Sequence, residues 1–346
     1  MSSINRKVPE GVLRDGWSEQ VADYAIAGGW TPSGEELIVG DSAGGVSGFE
    51  GKSGTLKWSQ PAGHRDGVLA ISMRPNSKEF ASAGQDGRLI IWDALDGKAK
   101  YIIDCQNGWV ENVAWSADGQ WLAASCSRQV RIYRFDGEEV WRSEDHPSTV
   151  SAIAWSGSEE VATACYGRVA FFDREKGALN QKLEWKGSLI SMILSPDGDI
   201  VVCGSQDNSV HFWRRSTAQD SMMGGYDNKP SALAFDESGT FLATGGSSAV
   251  TVWSFSGGGP EGTRPGLLEL HTQGVTKVKF SNRGMRLAST ARDRGVVVWS
   301  LKQDGTGEAI GTVNMPDKVA ELYWRPDGRA LAALDAGGGV SVWRVR

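Results

Sequence analysis

The sequence predicts an all-β fold built from one repeated four-stranded unit, and three observations predict it. The 346 residues include 45 Gly and 15 Trp, which suits many turns and a large residue recurring at one structural place. Two series of bulky residues, each with eight members, recur at intervals of 39 to 46 residues. No segment sustains a 3.6-residue apolar period, so helix is minor. The first series ends a strand before a turn: Trp30, Met73, Trp115, Trp155, Leu194, Phe235, Phe280 and Trp324. The second closes a later strand: Phe49, Trp92, Tyr133, Phe172, Trp213, Trp253, Trp299 and Trp343.

Between the landmarks the same elements return in order. A turn such as Asp118-Gly119, Asp197-Gly198 or Asp327-Gly328 follows the first strand, A. A short strand B follows, as in Phe80-Ala81-Ser82 and Leu287-Ala288-Ser289. A Gly-bearing turn leads to an alternating strand C, as in Leu89-Ile90-Ile91-Trp92, and strand D often ends in Trp, as at Trp58, Trp141 and Trp185. Three excursions stand out: Ser216 to Lys229, the Gly/Pro-rich Ser254 to Gly266, and Gln303 to Gly307, all suited to surface loops.

Four short strands every ~40–45 residues make one propeller blade. The stretch Gly63 to Asp93 is the best-formed copy, opening on Gly63-His64 and closing on Trp92-Asp93. On these residues the chain resembles the WD40-repeat proteins from about residue 21 onward. Elsewhere the closing pair drifts to Tyr133-Arg134, Phe172-Asp173, Trp213-Arg214, Trp253-Ser254 and Trp299-Ser300. The expected architecture is a single eight-bladed β-propeller filling residues 1–346, with blades over about 21–58, 67–104, 109–142, 149–186, 188–224, 229–270, 274–313 and 318–346. The last set stops after strand C, leaving an edge open to pairing. Residues 10–17, around Gly11-Val12-Leu13-Arg14, are expected to supply its fourth strand.

Composition narrows the function. Net charge is −6, and no block of Lys and Arg offers the phosphate neutralisation that nucleic-acid binding needs, so no nucleic acid is expected. Cys105, Cys126, Cys165 and Cys203 lack CxxC spacing and sit in apolar, strand-like segments, as small buried residues of a reducing compartment do. No apolar run is long enough to span a bilayer, and the N-terminus lacks a signal-like apolar stretch. The expectation is a cytoplasmic protein, or a nuclear one in a eukaryote, without membrane attachment. No pair of metal-ligating residues has a metal-site spacing, and Gly257-Gly258-Gly259-Pro260 lacks the Lys and helix of a phosphate cradle, so no metal or cofactor is expected.

His64, His146 and His271 all precede a strand A. The resemblance implies a buried chain there, running from an Asp in the B–C turn to His, to a strand-B hydroxyl, to the strand-C indole. His64, Ser82, Asp86 and Trp92 match it, as do His271, Ser289, Asp293 and Trp299. A hydrolase is the tempting alternative, but the set recurs at the repeat period and no G-x-S-x-G elbow accompanies it. The third set has Asn107 near the His position, the fourth keeps His146 and Thr163, and the fifth keeps Asp207 and Trp213 with Cys203 in place of Ser. The sixth keeps Thr244 and Trp253, while the first and eighth keep almost nothing. His211 alternates along a strand and is expected to be packing.

The resemblance also implies partner binding on the face made by the D–A and B–C loops. Positions expected on that rim are Tyr24, Gln85, Trp109, Glu111, Ile190, Gln206, Lys229, Arg292 and Lys318. Trp109 stands apart because most Trp residues fall on repeat landmarks and it does not. The function expected is a non-catalytic scaffold or adaptor for proteins or peptides. Two alternatives are carried. One is a quinone-dependent dehydrogenase, suggested by Glu50 through Gly54 to Trp58 and Asp173 through Gly177 to Trp185. The other is a modified-peptide reader with Tyr24 and Trp109 in an aromatic cage.

Overall fold

The computed structural model describes residues 11–106, 108–257 and 259–346. Their regular structure is all strand, with no helix among the described residues. The described residues divide into two compact units, one within residues 19–192 and the other within residues 11–18 with 193–346.

The second repeat shows how the pattern folds. Val68–Met73, Glu79–Gly84, Arg88–Asp93 and Ala99–Asp104 pair antiparallel in that order. Strands B and C are rich in apolar and small residues on both faces because neighbouring sheets cover both sides; Ala81, Ala83, Leu89, Ile90 and Ile91 are fully buried. Strand D is the exposed outer strand, and Lys98 and Lys100 bring charge to its edge.

The expected count of eight blades is corrected: the described strands form seven sheets, six of four strands and one of six. The six-stranded sheet runs Ala152–Ser156, Glu160–Asp173, Leu179–Leu194, Ile200–Ser205, Val210–Arg214 and Gln219–Met223. The fourth and fifth repeats are not separate sheets because one strand, Leu179–Leu194, runs without a break where a loop was expected; Glu160–Asp173 likewise runs through the B–C turn of the fourth repeat. Leu179–Leu194 holds a single Gly and no Pro between the two landmarks, unlike the Pro61-Ala62-Gly63 loop at the matching place earlier. The supposed excursion from Ser216 to Lys229 contains the strand Gln219–Met223, and the one from Ser254 to Gly266 leads into Gly266–Leu268.

Leu13–Gln20 lies beside Gly339–Val345 and is the fourth strand of the last sheet. The strand starts later than 10–17, and residue 10 lies outside the described residues. Arg346 N–H donates to the Val12 carbonyl at 3.1 Å, and Arg344 Nε to the Asp15 carbonyl at 3.0 Å.

Within residues 19–192, adjacent sheets are joined by aromatic side chains. Trp58, Phe80 and Trp92 stack with centroids 6.2 and 6.0 Å apart and planes within 10°. Trp58 Nε1 donates to the Ala94 carbonyl at 2.8 Å, and Trp141 Nε1 to the Arg174 carbonyl at 2.7 Å. Each indole lies against a glycine of the next C–D turn, Gly97 at φ 68° and Gly177 at φ 63°. A Cβ on Gly97 would run into the Trp58 ring. In the other unit, Leu322, Leu331, Trp343 and Val345 pack with Val298, and Val12 and Leu13 lean on the same cluster.

Gly97→Ala and Gly157→Ala separate backbone strain from collision. Both glycines have φ near 60–70°, but nothing lies within 4 Å of a Cβ at Gly157. Urea denaturation should show Gly157→Ala costing about 1 kcal/mol and Gly97→Ala at least ~1 kcal/mol more. Equal losses would remove the docking role given to the Trp58–Gly97 contact.

Candidate functional site

In the second repeat, four side chains form one directed chain. His64 Nδ1 donates to Asp86 Oδ1 at 2.9 Å, because a carboxylate can only accept. His64 Nε2 then has a free lone pair and accepts the Ser82 hydroxyl at 2.6 Å. Ser82 Oγ in turn accepts Trp92 Nε1 at 2.8 Å. Gly84 makes room for the ring, since a Cβ there would collide with His64 Nδ1. Burial lowers the His64 pKa against the pull of Asp86, favouring the neutral ring this chain requires. The seventh repeat repeats the arrangement: His271 Nδ1 is 3.3 Å from both Asp293 oxygens, Nε2 is 2.8 Å from Ser289, and Trp299 Nε1 is 2.8 Å from Ser289. Desolvation opposes ionisation of Asp293, but its bonds to His271, Thr272 N and Gly295 N outweigh it and set its pKa at about 2.

The connectivity is that of a hydrolase triad, yet the nucleophile position is sealed. Ser82 and Ser289 are wholly buried, and each hydroxyl oxygen already holds an indole N–H. What the arrangement does chemically is tie the D–A loop to strands B and C.

Other repeats reach the same tie with different residues, some of which sequence reasoning missed. His146 Nδ1 donates to the Arg128 carbonyl at 3.0 Å and Nε2 accepts Thr163 at 3.0 Å, so a backbone oxygen replaces the missing Asp. Tyr226 takes the histidine position in the sixth repeat, its hydroxyl 2.7 Å from Thr244 Oγ1. Its distance from Thr244 in sequence equals that of His64 from Ser82, a signal hidden by searching for His alone. Asn107 lies outside the described residues, and Cys105 stands in the loop instead, with Sγ 3.6 Å from the Tyr133 hydroxyl. The first and eighth repeats hold a buried Asp at the end of strand B: Asp41 accepts the N–H groups of Ala43 and Gly45, and Asp335 those of Gly337 and Gly339. Asp207 accepts from Ser209 N at 3.2 Å, Cys203 is fully buried, and His211 is buried beside Trp213.

These ties place the loops. Through residues 19–192 each B–C turn bonds to a neighbouring D–A loop. The contacts run from Ser42 N to the Tyr24 carbonyl (2.9 Å) and from Gln85 N to the Gly67 carbonyl (2.9 Å). They continue from Cys105 N to the Gly87 carbonyl (2.9 Å), Ser127 N to Glu111 Oε2 (3.1 Å) and His146 N to the Arg128 carbonyl (2.8 Å). Tyr166 N donates to Ser148 Oγ at 2.9 Å, and Ser151 Oγ to the Leu189 carbonyl, next to Ile190, at 2.7 Å. Tyr24, Gln85 and Trp109 lie in these loops, whereas Glu111 and Ile190 border them from within the strands Val110–Trp115 and Leu179–Leu194. Four of them are half-buried; Trp109 is 52% exposed. Desolvation raises the Glu111 pKa. Tyr166, 56% exposed and inside the unbroken strand Glu160–Asp173, was missed by the sequence reading.

The other unit has its own belt. Asn228 N bonds the Gly246 carbonyl, Val275 N the Ser247 carbonyl, Arg292 N the Gly274 carbonyl, Met315 N the Arg294 carbonyl and Ala336 N the Lys318 carbonyl, all within 3.2 Å. Lys229, Arg292 and Lys318 are exposed along it, and Gln206 is exposed beside Asn208, which reaches the Asp227 carbonyl at 3.3 Å. Among the described residues no group of three or more His, Cys, Asp or Glu could hold a metal ion.

Comparison with known proteins adds the following. The family model for the WD domain, G-beta repeat, matches residues 54–93, 97–134, 180–214 and 262–300, and that for the anaphase-promoting complex subunit 4 WD40 domain matches 120–193. Telomerase protein component 1 of Rattus norvegicus is 23% identical over 298 residues, covering 82% of this chain and 11% of that protein. Actin-interacting protein 1 of Caenorhabditis elegans is 25% identical, covering 70% of the chain and 40% of that protein. Protein FIZZY-RELATED 2 of Arabidopsis thaliana is 27% identical, covering 45% and 34%. The chain thus spans less than half the length of these relatives. A solved structure of the computationally designed Ika8 protein superposes with a TM-score of 0.81 at 19% identity, covering 97% of this chain and 100% of that one.

Two measurements test the networks. Ser82→Ala strands His64 Nε2 and Trp92 Nε1 without partners in a buried site, and urea denaturation should register a loss of about 2–4 kcal/mol. A loss under ~1 kcal/mol would show that the relay is incidental. Asp293 has a folded pKa of about 2, below that of an unfolded Asp, so its contribution is complete above ~pH 4 and is lost as pH falls through about 2. The stability gap between wild type and Asp293→Asn should therefore be on the order of 2 kcal/mol at pH 7 and close towards pH 2.

Proposed function

This chain belongs to the WD40-repeat β-propeller family, and we propose that it is a non-catalytic scaffold, a component or adaptor of a multiprotein complex, which presents a loop belt to a protein or peptide partner. The observation that carries this is Trp109. An aromatic ring more than half exposed is held on a backbone braced at Cys105 and Glu111, so it spends little entropy on binding. Tyr166 adds a second exposed aromatic from within the strand Glu160–Asp173. The names of one similar protein, a telomerase component, and of one matching family model, an anaphase-promoting complex subunit's WD40 domain, fit a life inside assemblies. We assign Tyr24, Gln85, Trp109, Glu111 and Ile190 to one partner surface, and Gln206, Lys229, Arg292 and Lys318 to a second, more basic one.

A non-catalytic role is supported by the sealed Ser82 and Ser289. The quinone alternative loses its footing where its strings are used for packing: Trp58 stacks on Phe80 and bonds the Ala94 carbonyl, and Gly177 receives Trp141. Net charge of −6 speaks against nucleic acid as the partner. Among the described residues no helix is long and apolar enough to cross a membrane. The four unpaired thiols fit a cytoplasmic or nuclear setting.

Affinity capture with the tagged full chain from its native cells, followed by the same capture with Trp109→Ala, tests the reading. The variant should retain its Tm and lose its partner by at least ~10-fold, about 1.4 kcal/mol or more. An unchanged set of captured proteins would overturn the assignment of this belt.

A further inference from the structure

We propose that Cys105 and Cys126 form a dithiol site that a hydroperoxide converts into an intramolecular disulfide, tying the loop before the third strand A to strand B of the same sheet. The case begins with register. Cys126 faces Val110 across the sheet just as Gly84 faces Val68 one repeat earlier. Cys105 holds the backbone place of His64: His64 N bonds the Gly44 carbonyl at 3.0 Å and Cys105 N the Gly87 carbonyl at 2.9 Å. In the second repeat a Cβ at Gly84 would collide with the His64 ring. The third repeat has a short thiol at each of those two places, so the side chains point at one another. Both are sealed, at 0% and 1% exposure, in one apolar cluster.

The surroundings suit this chemistry. Cys105 Sγ is 3.6 Å from the Tyr133 hydroxyl, and the buried Arg131 guanidinium brings positive charge to both sulfurs. Cys126 is the resolving thiol, and Cys105, whose sulfur meets the Tyr133 hydroxyl, acts as the first nucleophile. Its thiolate attacks one oxygen of hydrogen peroxide; an S–O bond forms, the O–O bond breaks and, with a proton, water leaves. Cys126 sulfur then attacks Cys105 sulfur; the S–S bond forms, the S–O bond breaks, and the Cys126 proton leaves with the hydroxyl as a second water. Two thiols are oxidised by two electrons and one peroxide is reduced to two waters. Because both sulfurs are covered, the rate follows opening of the loop rather than thiol reactivity. The site is independent of the partner surface, although Trp109 lies inside the loop that the bond closes.

The test uses the full wild-type chain. After treatment with hydrogen peroxide, unfolding and alkylation, two of the four thiols should resist alkylation and the intact mass should fall by two hydrogens. Peptide mapping should join Cys105 to Cys126, and dithiothreitol should restore all four thiols. The bond closes a loop of about 20 residues, so oxidation should raise Tm by roughly 5 °C and slow amide exchange in residues 108–112. Four alkylated thiols after oxidation, a bridge to Cys165 or Cys203, or irreversible sulfinic acid in place of the bridge would each overturn the proposal. Cys126→Ala should abolish protection of Cys105; protection that persisted would mean a different partner and would overturn it too.

Discussion

The indole that reaches from one sheet to a backbone carbonyl of the next is the interaction on which the rest depends. Trp58 finds the Ala94 carbonyl, Trp141 that of Arg174, Trp155 that of Ala114 and Trp324 that of Lys279, all at 2.7–2.9 Å. A bare apolar contact between sheets would leave them free to slide, because dispersion has no direction. The indole covers apolar area with its ring and spends its one donor on a carbonyl at the sheet margin, which fixes the angle as well as the distance. With the sheets so fixed, D–A and B–C loops meet often enough to bond one another, and the belts that carry Trp109 and Lys318 follow from that.

The histidine relays do a different job. They close a sheet's inner corner, where the chain enters strand A, and through the Arg128 carbonyl His146 also reaches the sheet before. The same corner is closed by His with Ser or Thr, by Tyr226 with Thr244, by Asp41 or Asp335 capping a turn, and by the Cys105 thiol against the Tyr133 hydroxyl. The requirement is a satisfied polar group or a filled space at one register position, and several side chains meet it. That tolerance explains why the repeats drift so far apart while the sheets remain alike.

Landmarks such as Trp92 and Trp299 made the strand order legible from sequence, because a large residue at a fixed period has few other causes. The number of sheets was not legible. Glu160–Asp173 and Leu179–Leu194 each carry two landmark-flanked segments, and whether a chain breaks or continues between such segments depends on backbone pairing that no side chain announces. Among candidate site residues, the two His–Ser–Asp–Trp sets were expected from the family resemblance. Tyr226 and Cys105 were not, since each satisfies the corner with chemistry unlike histidine. Tyr166 was hidden for a simpler reason: it lies inside a strand, where nothing in the sequence marks an aromatic as exposed.

The relay from Trp92 through Ser82 and His64 to Asp86 has every donor aimed the same way. Its one reversible part is His64. A second proton would make Nε2 a donor facing an oxygen that already receives the indole, and the serine hydrogen would be left with no acceptor. The chain therefore has a single permitted proton count: this corner of the protein closes only around a neutral ring, and a proton added to the ring opens it.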